Sequence, residues 1–295
     1  EQRLIKYCSV DGKFQNILNK NRGQQAIHDY YQRKFYRNQF TVLWQQMLDK
    51  KLANNSLEII ENKNIFKFSP YNALNGEQNE VSIKVINEII DSFANDKKGV
   101  SLVQGCAGTG KTVLAISIIN SLVNAINIDD RLLDIKAEAF EDDIDESKRN
   151  TLLRLKKYIQ TQRGGKAFKI GFVFPMPGIR GTIKNVFKEC GNGLVSEMVI
   201  GPTDVIKEDY DILFVDESHR LSKRKNLTGY KSFDDVSRSL DLEPTETNQL
   251  EWILKSAKHV ILFYDKTQSV KSSDISHDEY ENTLKKYNYV TNEHI

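Results

Sequence analysis

The chain has 295 residues, of which 39% are hydrophobic and 28% are charged, so its composition is that of a folded protein of one or two domains. Its 42 lysines and arginines are nearly balanced by 40 aspartates and glutamates, which excludes a positively charged surface over the whole chain. Nucleic acid could bind only to local basic patches. Three scattered cysteines exclude a disulfide framework or a zinc site and indicate a reducing, cytoplasmic setting. No apolar run approaches the roughly 18 residues of a membrane helix, so we expect no membrane partner.

Residues 1–70 are predicted to form a mostly helical accessory section. Between residues 24 and 52, apolar side chains that include Leu43, Met47 and Leu48 recur at helical spacing, with basic residues between them. One interpretation is a basic, aromatic-rich helix that contacts nucleic acid. We favour the alternative, a core stripe with a solvated basic face.

From residue 71 onward, short apolar strands alternate with helical patterns. An amphipathic helix at 81–93 precedes a buried strand at 100–103 and a helix at 113–123 that is apolar around most of its circumference. Later strands are predicted at residues 170–174, 198–200, 212–215 and 260–263. Because these strands are too apolar to face water, the sequence predicts an α/β fold with a parallel sheet covered by helices.

A charged insertion at about residues 128–168 interrupts this alternation. Its first half is acidic, whereas the stretch 148–169 carries eight basic residues and no acidic one. The basic half is either an arm that contacts phosphates or a solvated helix neutralised by the acidic half, and the residues favour neither interpretation.

The strongest motif lies between the strand at 100–103 and the helix that follows it, and it fits the pattern G-x-x-x-x-G-K-[ST]. Glycines allow successive N–H groups to point at one anion, and the helix N-terminus adds partial positive charge. We therefore predict an ATP-binding loop, in which Lys111 reaches the β- and γ-phosphates and the Thr112 hydroxyl binds Mg²⁺. The predicted loop residues are Gly105, Cys106, Ala107, Gly108, Thr109, Gly110, Lys111 and Thr112. Cys106 is interpreted as a tolerated small residue, with a redox switch as the alternative.

Two carboxylates end the strand at 212–215. Asp216 is predicted to hold the Mg²⁺ shell, and Glu217 to orient and deprotonate the attacking water. An ordinary acidic turn at a strand end is the alternative. The loop about a hundred residues earlier makes the functional interpretation the stronger one.

Four segments now resemble motifs of superfamily 1 helicases. Residues 216–220, Asp-Glu-Ser-His-Arg, resemble the DExx-type motif, and residues 172–176 resemble motif Ia, which meets single-stranded nucleic acid. Residues 262–268 resemble motif III, with Tyr264 in place of glycine. In that family the glutamine of motif III, here Gln268, senses the γ-phosphate and links hydrolysis to nucleic-acid binding.

Residues 74–78, Leu-Asn-Gly-Glu-Gln, resemble the Q motif of the same superfamily. The resemblance implies that the Gln78 amide reads the adenine edge, since an amide can donate and accept at once. The alternative is a helix N-cap, with Asn75 capping and Gln78 at the third helical position. Both interpretations can hold together.

A more specific resemblance, over roughly residues 71–275, is to a bacterial P-loop helicase-like family related to the helicase half of Schlafen proteins. It rests on residues 105–114, 173–176, 201–205, 216–221 and 263–274. It implies a RecA-like motor domain at 71–295 that hydrolyses ATP with Mg²⁺ and binds single-stranded DNA or RNA. Lys111, Glu217 and Gln268 are the implied catalytic residues. The candidates for strand contact or coupling, each with a solvated or packing role as the alternative, are Arg180, Lys184, His219, Arg220 and Tyr264.

A superfamily 1 motor also needs a second RecA-like domain, which supplies arginine fingers. We expect that domain to be absent from this chain, because no sequence of its type follows Gln268, and we expect slow hydrolysis by the chain alone. The alternative to a motor is an ATP-dependent switch that regulates a partner such as a nuclease, since this family often sits beside nuclease modules. A third class, an AAA+ remodeller, is disfavoured by Gln78 and by the pairing of Asp265 with Gln268.

Overall fold

The computed structural model describes residues 2–14, 33–68, 74–125, 143–191, 193–268, 271–287 and 290–294. The chain divides into two compact units, Glu1–Ala73 and Leu74–Ile295. The start of the helical pattern at 24–32 and residues 128–142 of the insertion, which carry most of its acidic side chains, lie outside the described residues. No helix among the described residues combines the length and apolar character that crossing a membrane requires.

The described residues of the first unit are mostly helical. The helices are α1 (Gln2–Asp11), α2 (Arg33–Asp49), α3 (Leu57–Asn62) and α4 (Asn64–Phe68). Tyr7, Phe40 and Trp44 form a buried aromatic cluster between α1 and α2. The predicted core stripe was therefore wrong in one position, because Leu43 is exposed and Phe40 and Trp44 supply the buried face of α2.

The second unit alternates strands and helices. Its strands are β1 (Gly99–Gln104), β2 (Ile170–Val173), β3 (Val199–Ile200), β4 (Tyr210–Val215), β5 (Ala257–Tyr264) and β6 (Val290–His294). Its helices are α5 (Gly76–Ala94), α6 (Lys111–Asn124), α7 (Asp143–Gln162), α8 (Pro177–Cys190), α9 (Tyr230–Ser239), α10 (Gln249–Ser256) and α11 (His277–Tyr287). Short 3₁₀ turns lie at Ser196–Met198, Pro202–Ile206 and Ser218–Arg220.

The strands form one sheet in the order β3-β2-β4-β5-β1-β6, and every neighbouring pair is parallel. The five strands predicted from the sequence are all present, and β6 is an addition. A parallel sheet flanked by helices confirms the predicted α/β class and is compatible with a RecA-like fold. The carboxyl ends of β4, β5 and β1 are neighbours, so the loops that follow these three strands meet at one edge of the sheet.

Both faces of the sheet are buried. Because successive side chains of a strand point to opposite faces, Val100 and Leu102 of β1 lie on one face and Ser101 on the other. The first face packs against Phe233 of α9 and Trp252 of α10, and α5 packs on β1 and β5. This two-sided burial explains why the strands appear in the sequence as nearly continuous apolar runs.

Helix α7 carries the end of the acidic half and most of the basic half of the insertion, and it packs on α5. Lys148 donates a hydrogen bond to Asn79, and Arg154 donates one to Asn87. Just beyond the helix, Arg163 pairs with Asp211 at 2.9 Å. Several of the basic side chains therefore bind neighbouring elements of the same unit, and a phosphate-contacting arm stays a prediction.

A buried imidazole joins α5 to the sheet. Nδ1 of His259 lies 2.7 Å from the Ser92 hydroxyl of α5, and Nε2 lies 3.0 Å from the Ser101 hydroxyl of β1. Gly99 makes room for this group, since a Cβ atom there would lie 2.6 Å from Nδ1. Burial lowers the pKa of His259 from 6.5 to about 4, against a smaller opposing effect of Glu88.

We expect acid to weaken the folded state through His259. Between pH 6.5 and about 4 the unfolded chain protonates this imidazole and the folded chain does not, so the free energy of unfolding falls as the pH falls. The loss from this group is about 2–3 kcal/mol. Denaturant unfolding near neutral pH and at a pH of about 4.5 measures it. The variant His259→Gln should show a shallower pH dependence, and an equally steep one would contradict the assignment.

Candidate functional site

The residues of the predicted loop lie between the carboxyl end of β1 and the start of α6. Gly108 and Gly110 adopt φ values of 79° and 83°, which favour glycine. Gly110 is the N-cap of α6 and provides no side-chain hydrogen bond to the N–H groups of the first turn. Such a helix start is suited to an anion.

The Lys111 ammonium group lies inside this loop, with 7% of the residue exposed. Its Nζ donates to the carbonyl oxygens of Gly105 and Cys106 at 2.7 and 2.9 Å. The carboxylate of Asp265, at the end of β5, lies 3.7 Å away. The positive charge is thus held at the centre of the loop, while Cys106 is an exposed free cysteine.

Thr112 and Asp216 meet across the edge of the sheet. The Thr112 hydroxyl donates to Oδ2 of Asp216 at 2.7 Å. Asp216 is 2% exposed, and its other oxygen, Oδ1, is buried without a hydrogen-bond partner. Burial raises the pKa of this carboxyl to about 6. A buried carboxylate with an unused oxygen, beside a hydroxyl, suits a hard divalent cation such as Mg²⁺.

Glu217 follows directly in a left-handed backbone conformation, with φ 49° and ψ 46°. This conformation costs a non-glycine residue about 1 kcal/mol or more and persists where neighbouring contacts hold it. Ser218 supplies such contacts, because its hydroxyl donates to the Phe263 carbonyl at 2.9 Å and pairs with the Tyr280 hydroxyl at 2.8 Å. In the sequence, Ser218 stood out only as part of the DExx-type motif. Its pairing with Tyr280 was not predictable, since a hydroxyl pair between distant residues leaves no local pattern.

The Glu217 side chain pairs with His219, whose Nε2 lies 3.0 Å from Oε2 of the carboxylate. This hydrogen bond holds the pKa of Glu217 below its usual value, so the group is ionised at neutral pH. A partly exposed, ionised carboxylate at the mouth of the loop can accept a proton from water.

Gln268 connects the two halves of the site. Its Oε1 lies 3.2 Å from Nε2 of His219 and accepts from Arg220 at 3.3 Å, and its Nε2 donates to Asp265 at 3.0 Å. A continuous polar chain therefore runs from Lys111 through Asp265, Gln268 and His219 to Glu217.

The Asp265 carboxylate in this chain is strongly acidic. Burial raises its pKa, but hydrogen bonds from Thr267 and Gln268 outweigh burial and bring the pKa to about 2. Asp265 therefore carries a full negative charge beside Lys111. The sequence pointed to the pairing of Asp265 with Gln268 and did not show that Asp265 also faces Lys111.

The five candidates for strand contact or coupling occupy different environments. His219 and Tyr264 are 1% and 5% exposed, and the Tyr264 hydroxyl pairs with His277 at 2.9 Å. The packing alternative fits both of these positions, because in this structure neither side chain is accessible to a nucleic-acid strand. Arg220 is partly buried against Gln268, and Arg180 is partly buried beside Gly201. Lys184 on α8 is exposed, and strand contact or coupling stays a prediction for the set.

Gln78 lies at the start of α5 and also reaches the loop. The predicted N-cap is confirmed, since Asn75 caps α5 and exchanges hydrogen bonds with Gln78. Nε2 of Gln78 also donates to the carbonyl oxygen of Thr109 at 2.8 Å.

The part of the chain that the structure describes contains no cluster of three or more His, Cys, Asp or Glu residues arranged to hold a metal ion. Thr112 and Asp216 would therefore need further oxygen ligands from a phosphate or from water, which is the usual arrangement for Mg²⁺.

A family model described as Schlafen group 3, DNA/RNA helicase domain, matches residues 98–295. The match spans more than half of the chain and includes the loop, the two carboxylates after β4 and Gln268. No curated protein and no solved structure matches the chain.

Proposed function

Because the chain belongs to the Schlafen group 3 DNA/RNA helicase domain family, it has a helicase-type function at the level of the family, and we propose a specific form of that function. In this proposal the second unit is a P-loop motor domain like the first domain of superfamily 1 helicases. It binds ATP with Mg²⁺ and hydrolyses it in response to single-stranded DNA or RNA. The observation that carries the proposal is the meeting of Lys111, Thr112, Asp216 and Glu217 at one edge of the sheet.

The loop would bind the triphosphate through its backbone N–H groups, the start of α6 and Lys111. To contact phosphate, the ammonium group would exchange the carbonyl oxygens of Gly105 and Cys106 for phosphate oxygens. The Asp265 carboxylate lies 3.7 Å from Nζ and attracts the ammonium group from the β5 side of the loop.

Thr112 and Asp216 are the residues that would hold Mg²⁺. The unpartnered Oδ1 of Asp216 supports this assignment, since a buried carboxylate oxygen without a partner is costly. When bound, Mg²⁺ would neutralise charge that develops on the phosphate oxygens.

Glu217 would orient the attacking water and accept its proton. His219 positions the carboxylate through the bond to Nε2, and Gln268 in turn bonds His219. Gln268 therefore lies between the lysine side and the carboxylate side of the site. This position supports a role for Gln268 in coupling phosphate binding at Lys111 to the orientation of the Glu217 carboxylate. His219 would transmit that coupling, because it bonds both Gln268 and Glu217.

The proposal is tested by ATP hydrolysis in the full-length protein, measured with and without single-stranded DNA or RNA. Faster ATP hydrolysis in the presence of single-stranded DNA or RNA supports the motor. ATP-dependent binding of a protein partner such as a nuclease, with no effect of a strand, would support the alternative of a switch. Absence of both ATP hydrolysis and ATP binding would overturn both.

A further inference from the structure

Both polar atoms of the Gln78 side chain are bound to backbone groups of the protein. Its Oε1 accepts a hydrogen bond from the backbone N–H of Asn75 at 3.1 Å. In return, the backbone N–H of Gln78 donates to Oδ1 of Asn75 at 2.8 Å. Its Nε2 donates to the Thr109 carbonyl oxygen at 2.8 Å. One amide thus joins the first turn of α5 to the last part of the loop.

The orientation of this amide is set by its partners. Exchanging Oε1 and Nε2 would place a donor against the Asn75 N–H and an acceptor against the Thr109 carbonyl oxygen, so only one orientation satisfies both groups. Gly110 allows the close approach, because a Cβ atom at that position would lie 2.7 Å from Nε2 of Gln78.

We propose that Gln78 is a positioning residue for the phosphate loop and does not select the base. An amide that recognises adenine presents its oxygen and nitrogen together to the N6 and N7 edge of the base. Here the oxygen holds Asn75 and the nitrogen holds Thr109. Gln78 therefore contributes to the binding of the triphosphate whatever base it carries. The inference rests on the proposed function, because it concerns the same nucleotide site.

The consequence is a loss of affinity that is equal for all ligands with a triphosphate. Removing a hydrogen bond of this kind lowers affinity by about 3- to 10-fold. Gln78→Met keeps the length of the side chain and removes both polar atoms. We expect it to weaken the binding of ATP, GTP and inorganic tripolyphosphate by the same factor.

Isothermal titration of the full chain with each of the three ligands, in Mg²⁺, tests this directly. A stoichiometry of one site in each titration verifies that the variant is folded. The matched control is Asn75→Ala, which removes one bond of the helix cap and leaves Nε2 of Gln78 free to hold Thr109. It should bind all three ligands more tightly than Gln78→Met.

Equal losses for the three ligands in Gln78→Met, with smaller losses in Asn75→Ala, support the proposal. A loss confined to ATP would overturn it, because that is the result expected of a residue that reads adenine. Unchanged affinities in Gln78→Met, or losses in Asn75→Ala as large as those in Gln78→Met, would also overturn it. If the unaltered chain bound none of the ligands, the proposed function itself would fail.

Discussion

Glu217→Gln is expected to lower the rate of ATP hydrolysis by about 10²- to 10⁴-fold, the usual contribution of a positioned general base. The substitution is nearly isosteric, and the new amide oxygen can still accept the hydrogen bond from Nε2 of His219. The left-handed backbone at this position is retained, because Ser218 still bonds Phe263 and Tyr280. ATP affinity should therefore stay close to that of the unaltered protein. Turnover and ATP binding are measured in the full-length protein with single-stranded nucleic acid present.

A matched control for this variant is Glu279→Gln. Glu279 is also an acidic side chain with a depressed pKa. Burial raises this pKa, but hydrogen bonds from Lys223 and Ser276 outweigh burial and bring it to about 2. Its partners lie outside the polar chain from Lys111 to Glu217, so its replacement should leave turnover near the normal value. Equal turnover in Glu217→Gln and in the unaltered protein would show that another group accepts the proton.

Lys111→Met is expected to weaken ATP binding by about 10- to 100-fold, because a charged donor to the phosphates is lost. Asp265 keeps its hydrogen bonds from Thr267 and Gln268, so its negative charge remains in the site without the lysine that faced it. That charge would repel a triphosphate and adds to the loss. Titration of the variant with ATP in Mg²⁺ measures the effect.

Lys98 offers a matched control at the opposite end of β1. Its Nζ donates to the carbonyl oxygens of Leu254 and Lys255 at 3.3 and 3.2 Å, the same kind of contact that Lys111 makes with its loop. Lys98→Met should lower the free energy of unfolding and leave ATP affinity unchanged. If the two variants lost ATP affinity to the same extent, the effect of Lys111 would be one of general stability.

The strands and the loop were predictable because their signals are local. β1, β2, β4 and β5 are buried on both faces, so each appears as a short apolar run bounded by polar residues. The pattern from Gly105 to Thr112 needs close backbone approach and positive φ, and only certain residues allow these at fixed positions. The position of the pair Asp216 and Glu217 followed from the strand before it.

Features that depend on distant partners were not predictable. β6 was missed because Val290–His294 is mostly polar and resembles a loop, yet it pairs along β1. Leu43 was placed on the wrong side of α2 because the apolar residues there allow more than one helical face. His219 and Tyr264 were candidates for nucleic-acid contact or coupling, with a solvated or packing role as the alternative. Their burial was not predictable, since a polar side chain is buried only when partners such as Gln268 and His277 are brought to it.

The central claim is that the loop at residues 105–112 and the carboxylate of Asp216 form one site for a nucleoside triphosphate with Mg²⁺. Its most direct test is titration of the full chain with ATP, first in Mg²⁺ and then after removal of divalent cations with EDTA. We predict a single site that binds more tightly in Mg²⁺, and a variant Asp216→Asn in which most of that difference is lost. ATP affinity that is the same with and without Mg²⁺, or no binding in either condition, would contradict the claim.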